Sequence, residues 1–180
     1  LDDPSPLVRR AMSEVFAATQ RAPLVVVHAL AADQPDVAAP VLAHSPLLLE
    51  DDLVDLIATG NPVTQRAIAG RALLSRSLAA ALAEVACADA CLTLLENMDA
   101  EIAQFSVDRI VERFGDRPDI RENLTSRDDL PMSPRQALLA KLSQTLAGFV
   151  TARQWLGTEH AEFAARQACE KAPLARAAET

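Results

Sequence analysis

Apolar and polar positions alternate along this chain in blocks. Residues 40–56 read PVLAHSPLLLEDDLVDL, residues 67–83 read AIAGRALLSRSLAAALA, and residues 93–110 read TLLENMDAEIAQFSVDRI. Each is a short apolar run, one polar residue (His44, Arg71, Asn97), a break, and a second apolar run. The second runs carry helical periodicity. Leu74, Leu78, Leu82 and Val85 recur at steps of four, four and three, the stripe of a helix buried on one face. Ile102, Phe105, Val107, Ile110, Val111 and Phe114 form a similar stripe, with Asp108, Glu112 and Arg113 on the opposite side. Residues 23–32 are apolar nearly all round, which predicts a helix lying between neighbours.

Prolines mark the period. Pro4, Pro35, Pro62 and Pro118 each precede a helix-like run, and Ala90 stands where the missing beat falls. Proline fixes φ and stops a preceding helix from running on. The adjacent polar residues (Asp3, Asp36, Asn61, Asp119) are suited to capping the helix that follows. The pattern predicts a repeat of roughly 28 residues in about five copies. First helices are expected over about 6–18, 36–44, 62–72, 89–97 and 118–126, and second helices over about 23–32, 50–59, 74–86, 99–115 and 133–156. Pro40 would bend or delay its short helix. Ser133-Pro134-Arg135-Gln136 reads as a capping box opening the last long helix, striped by Leu138, Leu142, Leu146, Phe149 and Val150. An alanine-rich helix over about 159–170 suits a C-terminal cap, and a single domain is expected, with residues 1–157 as the repeats and 158–180 as the final helix and tail.

Composition narrows the class to all-α. Five Phe, one Trp and no Tyr among 180 residues leave a core of Ala and Leu, which favours helices and close helix packing over sheets. Seventeen basic residues against 25 acidic ones give a net charge of −8, and Lys occurs only at 141 and 171. Without a basic face to displace counterions, neither nucleic acid nor an anionic membrane is an expected partner. Three cysteines without a framework spacing, and an N-terminus (LDDPSPLVRR) without an apolar signal core, point to the cytoplasm. The longest apolar stretch, around 23–32, is too short to span a bilayer.

Candidate chemistry is sparse. His44, Arg71, Asn97 and Arg127 recur at the corners, so stacked repeats would align them. They either finish the first helices, where cations and Asn suit a helix C-terminus, or form a polar ridge met by a partner. His44, Ser45 and Asp51 or Asp52 could be cast as a hydrolytic triad, but no nucleophile-elbow pattern accompanies them. Cys87 and Cys91, four residues apart, offer two zinc ligands where four are needed, and read as thiols packed among alanines. The acidic start at Glu50, Asp51, Asp52 and Asp55 lacks calcium-loop spacing. No cofactor is expected.

The phrases VRRAMSEVFA (8–17), VAAPVLAHSPLLLEDDLVDLI (37–57), AIAGRALLS (67–75), LLENMDAEI (94–102) and RDDLP (127–131) resemble a bacterial family known chiefly from alphaproteobacteria, domain of unknown function 2336, over about residues 8–146. That resemblance implies a HEAT-like α-α superhelix and a cytoplasmic bacterial protein, and it implies no activity. With the repeat it gives a right-handed solenoid of about five helical pairs acting as a scaffold or adaptor for a protein partner. The competing reading is an enzyme or small-ligand protein on the same architecture, lyase-like. A DNA glycosylase is disfavoured by the acidic charge and the scarcity of aromatics.

Overall fold

The computed structural model describes residues 5–126 and 132–152, together with residues 163 and 167. Among these the chain is all-helical: α1 (Pro6–Ala17), α2 (Leu24–Ala31), α3 (Pro35–His44), α4 (Glu50–Thr59), α5 (Pro62–Ala69), α6 (Arg76–Val85), α7 (Ala88–Glu96), α8 (Gln104–Phe114), α9 (Pro118–Ser126) and α10 (Met132–Ala152). The helix expected over 159–170 lies outside the described residues. The chain divides into two compact units, Leu1–Ile110 and Val111–Thr180, with the boundary inside α8.

Proline opens four of the five odd-numbered helices among the described residues. Pro6, Pro35, Pro62 and Pro118 are each the first helical residue, where the missing N–H costs nothing. The first beat is therefore Pro6, not Pro4. Ala88, not Ala90, opens α7, two residues out of the expected register. With starts at 6, 35, 62, 88 and 118, the intervals are 29, 27, 26 and 30. The even helices α2, α4, α6 and α8 start at 24, 50, 76 and 104, giving intervals of 26, 26 and 28. Burial follows the same register. The third residue of α3, α5, α7 and α9 (Val37, Thr64, Ala90, Ile120) is buried, and so is the seventh (Val41, Ile68, Leu94, Leu124). In α2, α4, α6 and α8 the fourth residue (Val27, Leu53, Ala79, Val107) and the eighth (Ala31, Ile57, Ala83, Val111) are buried.

Within the first unit, α1 packs on α3, α3 on α5 and α5 on α7, while α4 packs on α6 and crosses to α5. The core between the layers is aliphatic, with Leu30, Leu42, Ile57, Ile68, Leu74, Leu82, Leu94 and Leu95 fully buried. Its fully buried alanines, Ala69, Ala79, Ala86 and Ala90, permit close helix approach. Several sequence stripes are only partly buried. Val85 is exposed although Leu74, Leu78 and Leu82 are buried, and Phe105 is exposed beside buried Val107 and Ile110. Leu24 and Val25 of α2 also face solvent, so α2 is not enclosed on all sides. The apolar period marks a face but does not say how wide the neighbour covering it is.

Capping differs from expectation at two prolines. Asn61 Oδ1 accepts from Val63 and Thr64 N–H at 2.9 and 3.1 Å, as expected of an N-cap. Asp36 and Asp119 come after their prolines, inside the first turn, where they favour the helix dipole without capping it. Ser75 caps α6 through Leu78 N–H at 3.3 Å. α3 runs through Pro40, giving up the bond that residue's N–H would make to the Asp36 carbonyl. Asp3 lies outside the described residues.

The loop before α3 is tied to α1 by a two-pronged ion pair. Arg9 Nε and its second terminal nitrogen donate to Asp33 Oδ2 and Oδ1 at 2.6 and 3.1 Å. The Asp33 carboxyl lies below its ordinary range, chiefly because the Arg9 hydrogen bond favours the ionised form. A carboxyl whose pKa falls on folding adds stability above its unfolded value of about 3.9 and loses it as pH drops further. Asp33→Asn should therefore be less stable than the wild type at pH 7, and urea titrations should show the gap closing as the pH falls below about 4.

In the second unit, Lys141 of α10 donates from Nζ to the Glu112 carbonyl at 2.8 Å. That carbonyl lies in the last turn of α8, where a cation complements the dipole. Gly115 follows at once, and a Cβ there would meet the Val111 carbonyl at 2.5 Å and Lys141 Cδ at 2.7 Å. Only glycine leaves room for the lysine stem. Leu138 is buried, whereas Leu142, Leu146 and Phe149 are exposed, so the stripe of α10 is covered only at its start. The Val150 side chain lies outside the described residues.

Candidate functional site

The corners between paired helices are built from side chains that reach one helix pair back. Pro46 has no N–H, so the Leu42 carbonyl near the end of α3 lacks the partner a continuing helix would supply. Arg71 supplies it. Its guanidinium donates to the Leu42 carbonyl and, at 2.7 Å, to the Ser45 carbonyl. Asn97 repeats the arrangement, with Nδ2 donating to the carbonyls of Ala69 and Arg71 at 2.9 and 2.8 Å. The links from Asn97 to Arg71 and from Arg71 to Ser45 each span 26 residues. A backbone bond, Glu101 N–H to the Leu74 carbonyl at 3.0 Å, runs alongside.

The register of the corner is thus Ser45, Arg71, Asn97. Ser45 is fully buried, and its Oγ accepts from Leu47 N–H at 3.3 Å. Asn97 Oδ1 accepts from Asp99 N–H at 3.1 Å in the same two-residue turn. His44 sits one residue earlier, exposed at the end of α3. Arg127 lies outside the described residues. Arg71 and Asn97 cap the preceding first helix, not their own. The Arg71 guanidinium is pulled below its ordinary pKa by burial, and its charge is met by the negative end of the α3 dipole.

Gln65 makes a second tie. It is buried, donates from Nε2 to the Ile57 carbonyl at 3.0 Å, and accepts Cys87 N–H on Oε1 at 2.8 Å. One amide closes the C-terminal end of α4 and the N-terminus of α7. Sequence reasoning passed over Gln65 because an interior helix glutamine carries no local signal. Ser45 was findable, since 45, 71 and 97 are spaced 26 and 26, as are the helix starts at 24, 50 and 76.

No catalytic constellation forms from the sequence candidates. Ser45 Oγ is held by Leu47, Asp52 accepts from Leu49 N–H at 3.1 Å, and His28 Nε2 stands 4.0 Å from Asp52. Cys87 occupies the N-cap of α7, and the buried Cys91 thiol points to the Leu82 carbonyl at 3.6 Å. Among the described residues no three His, Cys, Asp or Glu side chains gather as metal ligands, and no helix is long and apolar enough to cross a membrane.

The first helices of the first unit leave a shallow groove. One part, of about 470 Å³, is lined by Ala39, Pro40, Ala43 and Ala67, with Arg10, Glu14, Asp36 and His44 around it. A second part, of about 290 Å³, shares Ala39 and Ala67 and continues to Val63, Arg66 and Thr93. The floor is small because alanines fill the outward positions, and the rim carries both signs of charge.

The sequence model of a family described as "Uncharacterised protein conserved in bacteria (DUF2336)" matches residues 37–180. The match takes in the SPLL and RDDLP phrases, extends beyond residue 146, and does not include VRRAMSEVFA at 8–17. No curated protein and no solved structure matches the chain.

Proposed function

The chain belongs to this uncharacterised bacterial family, DUF2336, and on that premise we propose that it is a non-catalytic protein-binding scaffold of the bacterial cytoplasm. Its helix pairs continue as a HEAT-like α-α superhelix of about five pairs, capped by the C-terminal segment. The observation that carries the reading is the alanine-floored groove across the first helices. Small residues let a partner segment approach the helix backbones closely, and the recurring register supplies equivalent positions along it. Its lining offers surface and mixed charge to an extended or helical segment. In this reading His44 is the member of the sequence-derived ridge that meets the partner. Arg71 and Asn97 hold the loops behind it.

A photo-cross-linking residue placed at Ala67, in the groove, tests the proposal against the same residue at exposed Val25 on α2. In living cells of the native bacterium, the Ala67 position is expected to give a discrete cross-linked protein that the Val25 position does not. Equal labelling at both positions, or none at Ala67, would overturn it.

A further inference from the structure

A different surface of the first unit presents a row of apolar side chains on the corner loops. Leu73 is 87% exposed, Met98 85% and Leu49 70%. In the first two loops a neighbouring leucine does the core packing, and in the third Asn97 ties the loop to the corner before it. Leu48 is buried beside Leu49, and Leu74 beside Leu73, so the outward residues are not needed to close the fold. Leu73 also has φ 54°, the sole positive φ at a non-glycine position among the described residues. A leucine in this left-handed region is strained. The chain therefore holds a large apolar side chain outward in a conformation that glycine would adopt freely.

The row is pre-organised. Arg71 and Leu74, on either side of Leu73, are bonded to neighbouring loops through the Ser45 carbonyl, Asn97 and Glu101. α3, α5 and α7 pack in succession, and packed helix axes lie about 8–10 Å apart. Successive corners therefore lie about 8–10 Å apart, and the three corners that carry Leu49, Leu73 and Met98 extend over about 20 Å, the length of about 13 residues of α-helix. Charge specifies the occupant. Glu50, Asp51, Glu96 and Asp99 are exposed beside the row with no ion pair among the described residues, and Arg76 is engaged by Glu101 at 3.1 Å.

We propose that this corner ridge binds a cationic amphipathic helix of a protein partner. Its apolar residues, about seven apart along the helix, would cover Leu49, Leu73 and Met98, with Lys or Arg against the four carboxylates. The proposal is independent of the groove, which lies on the first helices.

The probe is a fluorescein-labelled 18-residue peptide with leucines at heptad spacing among lysines, compared with its Lys→Glu counterpart by fluorescence anisotropy. The lysine peptide is expected to bind the wild type and weaken with added salt. Leu73→Gly relieves the strain, so this variant is expected to keep or gain thermal stability while binding about tenfold more weakly. Met98→Ser should weaken binding similarly, and Val25→Ser on α2 should leave it unchanged. Equal binding of the glutamate peptide, or undiminished binding by both Leu73→Gly and Met98→Ser, would overturn the proposal. Sedimentation provides the other arm. A wild-type dimer that Leu73→Gly dissociates would make a second copy the occupant and sink the cationic-helix assignment, leaving the groove reading to its own cross-linking result.

Discussion

Replacing Leu82 with alanine is expected to destabilise the protein by about 2–5 kcal/mol, through lost burial and a residual cavity. Leu82 is wholly inside, on a helix packed against α4 and α7. Of its neighbours along the buried face, Ala79 and Ala83 have no side chain able to swing into the space, and Leu78 is itself packed in the core. The backbone bond from Ala86 N–H to the Leu82 carbonyl survives the change, so the loss measures packing. Urea unfolding should show a lower midpoint at unchanged slope. Val85→Ala on the same helix is the control. It belongs to the same sequence stripe but is 48% exposed, and should cost no more than about 0.5 kcal/mol. Comparable losses from the two would mean that the helix is rotated from the placement described.

Gln65→Leu is expected to cost about 2–5 kcal/mol, despite similar volume and a gain in apolarity. The change strips partners from two backbone groups at once, the Ile57 carbonyl and Cys87 N–H. Each buried orphan costs about 1–3 kcal/mol. Gln65→Glu separates the two bonds. Its carboxylate can still accept from Cys87 but faces the Ile57 carbonyl without a donor. Burial raises such a carboxyl above its unfolded value of about 4.3. The penalty is therefore full at high pH and falls as acid protonates the group, which can then donate to Ile57. A Gln65→Glu variant should gain stability relative to the wild type on moving from pH 8 to pH 5. No such gain would remove the amide bridge from the account.

The helix pairs were legible because each local signal agreed with the others. Proline at the first helical residue, an apolar stripe of helical period and a polar corner all recur, and burial at Val37, Thr64, Ala90 and Ile120 keeps the same step. The errors have physical causes. At α7 the proline is missing, so the beat was set by analogy at Ala90, two residues past the true start, although the helix itself was expected from 89. α8 begins at Gln104, not near 99, and the chain before it is tied to the preceding corner by Glu101 N–H on the Leu74 carbonyl. Asp36 and Asp119 were read as caps because they touch proline, but a cap must precede the residue that proline fixes.

The corner was half legible. Aligning residues by polarity picks His44 over Ser45, since a buried serine with a two-residue turn looks ordinary in sequence. The physical cue was Pro46, which leaves a helix carbonyl without its donor and calls for a side chain from elsewhere. What no local pattern supplies is direction. Arg71 and Asn97 at the ends of helices suit those same ends as well as the neighbouring ones, and only packing of α3, α5 and α7 decides between them. Exposure of Leu73 is likewise invisible in a run of two leucines, one of which is core.

The central claim is that the corner side chains stitch each helix pair to the one before, and the stability of Arg71→Ala against His44→Ala tests it most directly. Arg71→Ala leaves the Leu42 and Ser45 carbonyls without their charged donor and is predicted to lose about 1.5–3 kcal/mol in urea unfolding, the range of a hydrogen bond to a charged group. His44, one residue from the true corner and exposed, is predicted to lose no more than about 0.5 kcal/mol. An Arg71→Ala variant as stable as the wild type, or equal losses at the two positions, would contradict the stitching account.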